Sequence, residues 1–489
     1  MAKRNGGIIG PDNVPAGPLG AAGGVWRLED AFNYQKAGLW PVVLGYQIPN
    51  SLRFNRGSSD YLSRTPASTT NRKTFTISAW VKRSQVSANF HSIYSNNNNG
   101  FGIQFRDDDT IAFAIGTVTD AYVYTNRVFR DVSAWYHFVF VVDTTQATDS
   151  NRMKMYVNGV QETSFSTTVY PALNVDTNIN TASIQNQIGT NVPYTSYFSG
   201  YFSEFYLIDG QALTPSSFGE TDSTTGIWIP KAYTGTYGTN GFYLKFANSA
   251  SLGTDSSGNG NTFTVNNLTS VDQSTDSPTN NFDTLNPLFA FNNAPTITNG
   301  NLTVVTATSD STVVSTIGVT TGKWYFEAKV GSTAVGSIIG ILGDIDNIQN
   351  TGFNSGYFPQ AFAYYLDGRK INNNTYTSYG NSYTTGDVIG VAFDLTNGKI
   401  WFAKNGTWQA SGDPAAGTNA AFTTLSSTVT YFAAFGDASG GSTSTFDVNF
   451  GSPTYAANSY ADANGFGNFS YAVPSGYYSL CSKNLAIYG

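Results

Sequence analysis

Short runs in which apolar side chains alternate with other residues are the feature that most limits how this chain can fold. In residues 75–81 and 136–142 an aromatic or aliphatic side chain recurs at every second position. Side chains two apart lie on the same face of a strand, so each run can place one face in a core. Asn158 and Gly159 follow another such run, and this pair is a strong hairpin signal. The pattern predicts antiparallel β-sheet.

The composition agrees with strands and tight turns. Aromatic residues make up 15% of the chain, charged residues only 12%, and there are 50 glycines. Aromatic side chains fit a pleated surface, and glycine supplies turns. Because single cores stop growing near ~250 to 300 residues, 489 residues indicate at least two domains. We predict an all-β chain with two antiparallel β-sandwich domains.

Charge and hydropathy exclude several classes of protein. The net charge of −7, with no basic stripe, argues against a nucleic-acid partner, since binding to phosphate backbones needs clustered Lys and Arg. We expect no membrane insertion, because no stretch reaches the ~18 consecutive apolar residues of a spanning helix. The N-terminus lacks the apolar run of a signal peptide. The single cysteine, Cys481, is expected to be a small buried residue.

A short amphipathic helix is predicted near the N-terminus, within residues 24–41. Leu28 and Phe32 fall at helical spacing, and Gly38 and Pro41 are stop signals. Two interpretations are open. The helix either caps the open end of the next domain, or docks onto another protein through the side chains of Trp26, Leu28, Phe32 and Trp40.

Several long phrases carry a resemblance to a known family. Residues 54–84, 129–161 and 197–220 resemble laminin-G-like, concanavalin-A-like lectin/glucanase modules, which are common in structural proteins of marine and cyanobacterial tailed phages. Residues 226–246 and 252–268 are similar to the closing segment of the same modules. The likeness extends over about residues 51–282, and the resemblance implies a jelly-roll sandwich. The opening phrase, residues 24–41, also resembles the N-terminal phrase of many phage appendage and capsid-associated proteins.

A second resemblance begins after a polar, proline-containing stretch at residues 272–294. Residues 322–327, 386–391 and 402–406 are similar to three phrases of SPRY domains, in the usual order. The SPRY resemblance implies a second two-sheet sandwich that is used for binding. We predict the following division of the chain: residues 1–48, an attachment segment with a short helix; 49–282, the laminin-G-like sandwich; 283–452, the SPRY-like sandwich; and 453–489, a C-terminal extension expected to run over the surface or contact a neighbouring subunit.

Catalytic chemistry is not expected. Glycoside hydrolysis usually needs two carboxylates about 5 to 9.5 Å apart. Glu204 and Asp209 share a strand, but their odd spacing predicts opposite faces. Glu220 and Asp222 lie in a loop-like stretch. The histidine in the alternating strand, His137, is expected to be a satisfied core residue. We therefore expect a protein that is not an enzyme.

Calcium is the one cofactor with a candidate site. Hard cations take oxygen ligands from Asp, Asn and backbone carbonyls, and Asp255, Asn259 and Asn261 supply such oxygens within seven residues. The same composition suits a tight turn, so both interpretations are open. The acidic run at residues 107–109 is most simply the tip of a hairpin.

Loops rich in Tyr and Asn are the candidate ligand contacts. Glycan sites place aromatic faces against sugar rings and flank them with groups that bond hydroxyls. In the first module the candidate contacts are Tyr94, Asn97, Tyr194 and Tyr197. The SPRY resemblance implies binding through loops at one end of the sandwich, where the candidates are Tyr364, Asp367, Arg369 and Trp408.

The resemblances imply a virion structural protein of a tailed phage. The first interpretation is a tail fibre or receptor-binding adhesin that recognises host-surface polysaccharide while its N-terminal segment grips other virion proteins. The alternatives are a capsid-decorating or head-fibre protein with no specific receptor and, less favoured, a polysaccharide depolymerase. We expect assembly in the host cytoplasm, a location on the outer surface of the particle, and a homo-oligomer, with a trimer suited to a fibre.

Overall fold

The computed structural model describes residues 45–87, 89–96, 101–116, 121–191, 195–223, 225–308, 311–345, 359–437 and 441–489. The chain divides into two units, Met1–Gln47 and Ile48–Gly489. Only residues 45–47 of the first unit are described. The predicted N-terminal helix lies outside the described residues, together with its docking candidates Trp26, Leu28, Phe32 and Trp40.

The first sandwich follows directly after Ile48. Its strands are β1 (Ser51–Phe54), β2 (Tyr61–Arg64), β3 (Thr74–Arg83), β4 (His91–Asn96), β5 (Phe101–Phe105), β6 (Ile111–Ile115), β7 (Ala121–Thr125), β8 (Trp135–Asp143), β9 (Met153–Val157), β10 (Val160–Glu162), β11 (Phe165–Val169), β12 (Asn186–Ile188), β13 (Gly200–Asp209), β14 (Gly219–Thr221), β15 (Trp228–Pro230), β16 (Phe242–Leu244), β17 (Thr264–Asn266) and β18 (Gln273–Ser274). Sheet I has the order β10-β9-β8-β3-β13-β1-β18, with β16 paired to β13. Sheet II has the order β11-β7-β6-β5-β4-β12-β2-β17, and β14 and β15 form a separate pair.

The second sandwich also has two large sheets. Its strands are β19 (Leu285–Asn292), β20 (Thr296–Thr298), β21 (Thr303–Val305), β22 (Ser311–Ser315), β23 (Lys323–Ser332), β24 (Ser337–Gly343), β25 (Ala361–Tyr365), β26 (Arg369–Asn372), β27 (Thr375–Ser378), β28 (Val388–Asp394), β29 (Lys399–Lys404), β30 (Thr407–Trp408), β31 (Tyr431–Asp437), β32 (Thr445–Asn449) and β33 (Tyr478–Ser479). Sheet III has the order β19-β22-β31-β24-β25-β26-β27, and sheet IV the order β20-β21-β32-β23-β28-β29-β30. β33 joins sheet IV as a parallel neighbour of β23. The all-β prediction with two sandwiches is confirmed.

Helical structure in the described residues is short. An α-helix, α1 (Ser482–Tyr488), ends the chain. Single 3₁₀ turns are Arg56–Ser58, Asp149–Asn151, Pro215–Ser217, Ser270–Asp272 and Gln409–Ser411. Within the described ranges, no helix has the length and apolar character needed to cross a bilayer.

The alternating runs form β3 and β8 of sheet I, and the prediction that one face of each run lies in a core is confirmed. β3 pairs with β8 so that Ile77 lies opposite Phe140, and both side chains are in the core between sheets I and II. The hairpin signal is also confirmed. Asn158 and Gly159 connect β9 to β10 with φ values of 49° and 80°, the left-handed backbone that a two-residue hairpin requires.

The outer face of sheet I is covered by other parts of the chain. Trp228 of the β14–β15 hairpin donates from Nε1 to His137 Nδ1 at 3.0 Å, and Trp80 stacks on the same imidazole at 4.8 Å. Because the indole N–H can only donate, Nε2 of His137 carries the proton and donates to Ser78 Oγ at 2.9 Å. Burial lowers the pKa of His137 to about 3. The histidine is therefore a neutral, satisfied residue, as the sequence predicts.

The stretch before the second sandwich, together with Gly300 of that sandwich, covers the other end of that face. Lys82 Nζ lies 2.8 Å from Asp276 Oδ2, and both side chains are 1% exposed. Trp135 Nε1 donates to Asp276 Oδ1 at 3.1 Å, and Tyr201 Oη donates to the carbonyl of Gly300 at 2.7 Å. A Cβ on Gly300 would lie 2.2 Å from that hydroxyl, and its φ of 69° also favours glycine. The stretch predicted as a polar boundary is thus tightly packed.

The C-terminal residues pack onto sheet IV. Phe469 and Tyr477 are fully buried against Trp401 and Tyr325. Glu327 is also buried, and it accepts hydrogen bonds from the backbone N–H groups of Ser470 at 2.8 Å and Tyr471 at 2.9 Å. Burial raises the pKa of Glu327. Residues 453–489 therefore complete the second sandwich. The sequence had led us to expect a C-terminal extension that runs over the surface or contacts a neighbouring subunit.

Candidate functional site

In the part of the chain that the structure describes, sheet II presents an open outer face. Along β5 and β6, alternate side chains enter the core, and the residues between them point outward. These outward residues are small or polar: Gly102 lies opposite Ala114, and Gln104 opposite Ala112. A Cβ added to Gly102 would have no neighbour within 4 Å. Small residues on neighbouring strands therefore leave a depression in the sheet surface.

This depression is a groove of about 450 Å³. The residues that line it are Phe90, Phe101, Gly102, Gln104, Ala112, Ala114, Gly116, Tyr124, Asn191 and Ser196. Phe90 is 40% exposed. Tyr124 stacks on Tyr122 at 5.0 Å, and the Arg106 guanidinium lies 4.5 Å from its ring. The groove combines aromatic surface with amide and hydroxyl groups, the combination that binds sugar rings.

A buried ion pair supports the hairpin that joins β5 to β6. Asp109 ends the predicted acidic tip with a φ of 67°, but its side chain is buried and lies 3.0 Å from Arg83 and 2.8 Å from Arg130. Burial raises the pKa of Asp109, but hydrogen bonds from Arg130 and Ser87 and the Arg83 charge outweigh it and hold the pKa below its usual value. The tip is therefore anchored to β3, which fixes one end of the groove.

The structure places the predicted glycan contacts of the first module in different environments. Tyr94 is a correction: its side chain is fully buried in the core, 6.2 Å from the Phe205 ring, because β4 turns position 94 inward. Tyr197 is half-buried against Tyr61 at 6.2 Å and follows Ser196 at the groove. Asn97 and Tyr194 lie outside the described residues. Asn191 and Ser196, which the structure describes in the same part of the chain as Tyr197, line the groove. The floor of the groove was not predicted.

Of the predicted ligand contacts in the SPRY-like sandwich, one is also buried and others are accessible. Tyr364 is a second correction, since it is fully buried, stacked on Phe402 at 5.5 Å, and donates from Oη to the carbonyl of Asn381. Asp367 and Arg369 are exposed enough to meet a ligand, and they pair at 2.7 Å.

Arg369 also lies between two aromatic rings, 5.3 Å from Tyr365 and 4.4 Å from Tyr376. Trp408 is half-buried on β30 of sheet IV, whereas Arg369 is on β26 of sheet III. The structure therefore brings Asp367 and Arg369 together, and it places Trp408 in the other sheet, with its ring 6.4 Å from the Tyr325 ring.

The candidate calcium residues form a hydrogen-bonded turn. Asp255 accepts bonds from the backbone N–H groups of Tyr243 and Asn261 at 2.9 and 2.8 Å. Asn259 and Asn261 direct their amide nitrogens at the carbonyl of Gly241, at 2.9 and 2.8 Å. Asn261 Oδ1 accepts from Arg64. The turn interpretation accounts for these contacts, and calcium binding stays a prediction.

The carboxylate that a hydrolase would use lies away from the groove. Glu204 is on β13 of sheet I, 3% exposed, and accepts a hydrogen bond from Tyr243 Oη at 2.7 Å. Asp209 accepts bonds from Asn180 and the backbone of Asn240. Throughout the described ranges, no group of three or more His, Cys, Asp or Glu side chains is placed to hold a metal ion.

Comparison with known proteins assigns both sandwiches. The family model described as the concanavalin A-like lectin/glucanases superfamily matches residues 56–218. The SPRY domain model matches residues 323–453. A curated relative, the ATP-dependent RNA helicase Ddx1 of Drosophila melanogaster, is 34% identical over 88 residues, which span 17% of this chain and 11% of the helicase.

Solved structures are similar at low identity. The SPRY domain of human HERC1 is 17% identical with a TM-score of 0.27, covering 34% of this chain and 96% of that chain. A proposed carbohydrate-binding protein of Bacteroides ovatus is 16% identical with a TM-score of 0.32, covering 45% of this chain and 59% of that chain. On the two family matches, the chain carries a laminin-G-type, concanavalin-A-like lectin domain followed by a SPRY domain.

Proposed function

We propose that the first sandwich binds a glycan in the groove of sheet II and that the chain acts as an adhesin. The groove carries this proposal: an open depression of about 450 Å³ with Phe90, Tyr124, Gln104 and Asn191 on its walls. Its volume falls within the ~300–1,000 Å³ of typical ligand pockets. The match to the lectin superfamily supports the same ligand class.

The biological setting we propose is the surface of a tailed phage. Resemblance of the laminin-G-like phrases and of residues 24–41 to phage structural proteins supports a tail fibre or receptor-binding protein on the outside of the particle. In this proposal the N-terminal segment grips another virion protein, and the sandwiches contact host polysaccharide without cleaving it. A homotrimer would let several weak glycan contacts act together.

A plug in the groove tests glycan binding. Gly102→Trp adds a large ring where a Cβ meets open space, so the fold is kept and the groove is filled. Gln161→Trp adds the same bulk to an exposed residue of β10 and is the matched control. We expect the control to bind host cells and isolated host polysaccharide like the unmodified chain, and the plugged variant to lose binding. Equal binding by both variants would overturn the groove as the site.

The number of copies per phage particle and the attachment of the N-terminal segment test the proposed location on a tailed phage. A tail fibre predicts small multiples of three or six copies per particle, whereas hundreds indicate the capsid-decorating alternative. Trp26→Ala combined with Phe32→Ala in the full chain is expected to reduce incorporation into particles while cell binding is kept. Release of reducing ends from host polysaccharide, abolished by Glu204→Gln, would instead favour a depolymerase.

A further inference from the structure

A second cleft lies where the two sandwiches meet. It encloses about 270 Å³ between the 3₁₀ turn Ser270–Asp272 with strand β18 on one side and residues 452–457 with Asn468 on the other. It is separate from the groove of sheet II, since no lining residue is shared. Clefts between domains are frequent ligand sites, because each domain supplies one wall.

Hydrogen bonds between the domains hold the two walls in place. Ser274 Oγ lies 2.6 Å from Ser452 Oγ, and Thr275 Oγ1 donates to the carbonyl of Gly451 at 3.1 Å. The Arg53 guanidinium bridges the walls, donating to the carbonyls of Val271 at 2.7 Å and Pro453 at 3.2 Å. The cleft is therefore preformed, which lowers the entropy lost when a ligand binds.

One wall carries a hydrogen-bond acceptor without a partner. Asn468 lines the cleft, and its Oδ1 atom lies just below the surface, where no described residue donates to it. The backbone of Asn468 is already used, since its N–H donates to the Gly451 carbonyl at 2.9 Å and its carbonyl accepts from Asn449 at 2.9 Å. A buried acceptor left unpaired is unfavourable. A hydroxyl donor from a ligand would satisfy it.

The charge of the cleft selects the class of ligand. None of the described residues that line it is charged, and most of them offer hydroxyl or amide groups. The nearby charges of Arg53 and Asp272 neutralise each other at 3.4 Å. Such walls suit a neutral ligand with many hydroxyls, and they give no charged partner to an anion or a cation.

Size limits the ligand further. A volume of about 270 Å³ is just below the ~300–1,000 Å³ of sites that hold drug-sized ligands, so one ring fits and an oligosaccharide does not. We propose that the interdomain cleft binds a single neutral sugar residue, with Asn468 Oδ1 accepting from one of its hydroxyls. This site is independent of the groove, and it exists only while both sandwiches are joined.

Methyl glycosides of glucose, galactose and mannose, and N-acetylglucosamine, are the probes. In the full chain we expect at least one of them to shift the NMR signal of the Asn468 side-chain amide at millimolar concentration. The same sugar should appear in the cleft of a soaked crystal. Methyl glucuronide is the charged comparator and is expected to bind more weakly.

Two variants keep the test independent of folding defects. Asn468→Leu removes the acceptor, and we expect affinity for the bound sugar to fall about tenfold. Ala457→Trp fills the cleft from its rim and should abolish binding with an unchanged melting temperature. Gly102→Trp in the groove should leave cleft binding unchanged, so failure of one site is distinguishable from failure of the other.

Three results would overturn the proposal. They are no shift at Asn468 with any of the four neutral sugars, equal binding of methyl glucuronide, and full binding by the Ala457→Trp variant. A crystal that holds only water in the cleft at high sugar concentration would have the same meaning.

Discussion

Sheets I and II of the first sandwich share one core but differ on their outer faces. The outer side chains of sheet I are buried: Lys82 against Asp276 of the stretch that joins the two sandwiches, and His137 under Trp228. On sheet II, the outer residues Gly102 and Gln104 line an open groove. The same alternation of side chains therefore produces a packing surface on one sheet and a candidate binding surface on the other.

The difference lies in the size and polarity of the outward residues. Sheet I places Trp80, Tyr201 and Tyr206 outward, and these large side chains need partners. Sheet II places glycine and alanine outward around Tyr124, which leaves space that the described chain does not fill. If this distinction is correct, substitutions on the covered face change stability, and substitutions on the open face change binding.

The largest effect is expected from Asp276→Ala on the covered face. This change leaves Lys82 buried without its carboxylate partner, which should lower the free energy of unfolding by about 3–5 kcal/mol. Urea unfolding of the full chain measures it. Asp108→Ala is the control, because the Arg106–Asp108 pair is half-exposed and such pairs contribute about 0–1 kcal/mol. Similar losses in both variants would contradict the comparison.

Removal of the Trp228 ring should have the next largest effect. Trp228→Ala deletes a half-buried ring and leaves His137 Nδ1 without its donor, so we expect a loss of about 2–4 kcal/mol in unfolding free energy. NMR titration should also show the pKa of His137 moving up from about 3 toward its usual range as water reaches the ring. Trp228→Phe keeps the stacking and should lose about 1 kcal/mol. An unchanged His137 titration would mean that the hairpin does not shield it.

A smaller, pH-dependent effect is expected where the linker enters the second sandwich. Burial raises the pKa of Asp283 from its ordinary value of 3.8 to about 6. Since the folded-state pKa is higher, protonation favours the folded state. The contribution of Asp283 to the unfolding free energy is fully present below pH 3.8 and is lost as the pH rises through 6. Between pH 7 and pH 5 the unfolding free energy should increase by about 1 kcal/mol from this group.

Asp283→Asn tests that contribution. The amide keeps an oxygen for the N–H groups of Thr316 and Ile317, which donate at 2.9 and 2.8 Å, but it does not titrate. The gain in stability on acidification should shrink by about 1 kcal/mol in the variant. Burial also raises the pKa of Asp60 to about 6. The contribution of Asp60 to the pH dependence of stability should remain in the variant. An identical pH profile for the Asp283→Asn variant and the native chain would show that another group is responsible.

Much of the fold was predictable because it rests on local patterns. Alternation in β3 and β8 and the Asn158–Gly159 turn depend on side-chain period and on φ, and both can be read from neighbouring residues. The residues that cover the outer face of sheet I could not be predicted. The contacts of Lys82 with Asp276 and of His137 with Trp228 join residues far apart in the chain, and a polar stretch such as residues 272–284 looks like a linker until its partners are known.

The site was less predictable than the fold. Abundant Tyr and Asn in loops drew attention to Tyr94 and Tyr364, which the strands turn into the cores. The groove had a weaker signal: Gly102, Ala112 and Ala114 alternate with large core residues. Small residues at every second strand position indicate a depression only when the strands are known to be neighbours, and strand order depends on the whole fold.

The smallest effect on stability is expected on the open face, from Tyr124→Ala. The ring contacts Tyr122 and Arg106 at the surface, so its removal should lower the unfolding free energy by no more than about 1 kcal/mol. If the ring is a platform for a sugar, the same change should weaken glycan binding about tenfold or more. Isothermal titration with host polysaccharide, beside urea unfolding, measures both quantities in one variant. A large loss of stability with unchanged binding would reverse the assignment and make the outer face of sheet II a packing surface like that of sheet I.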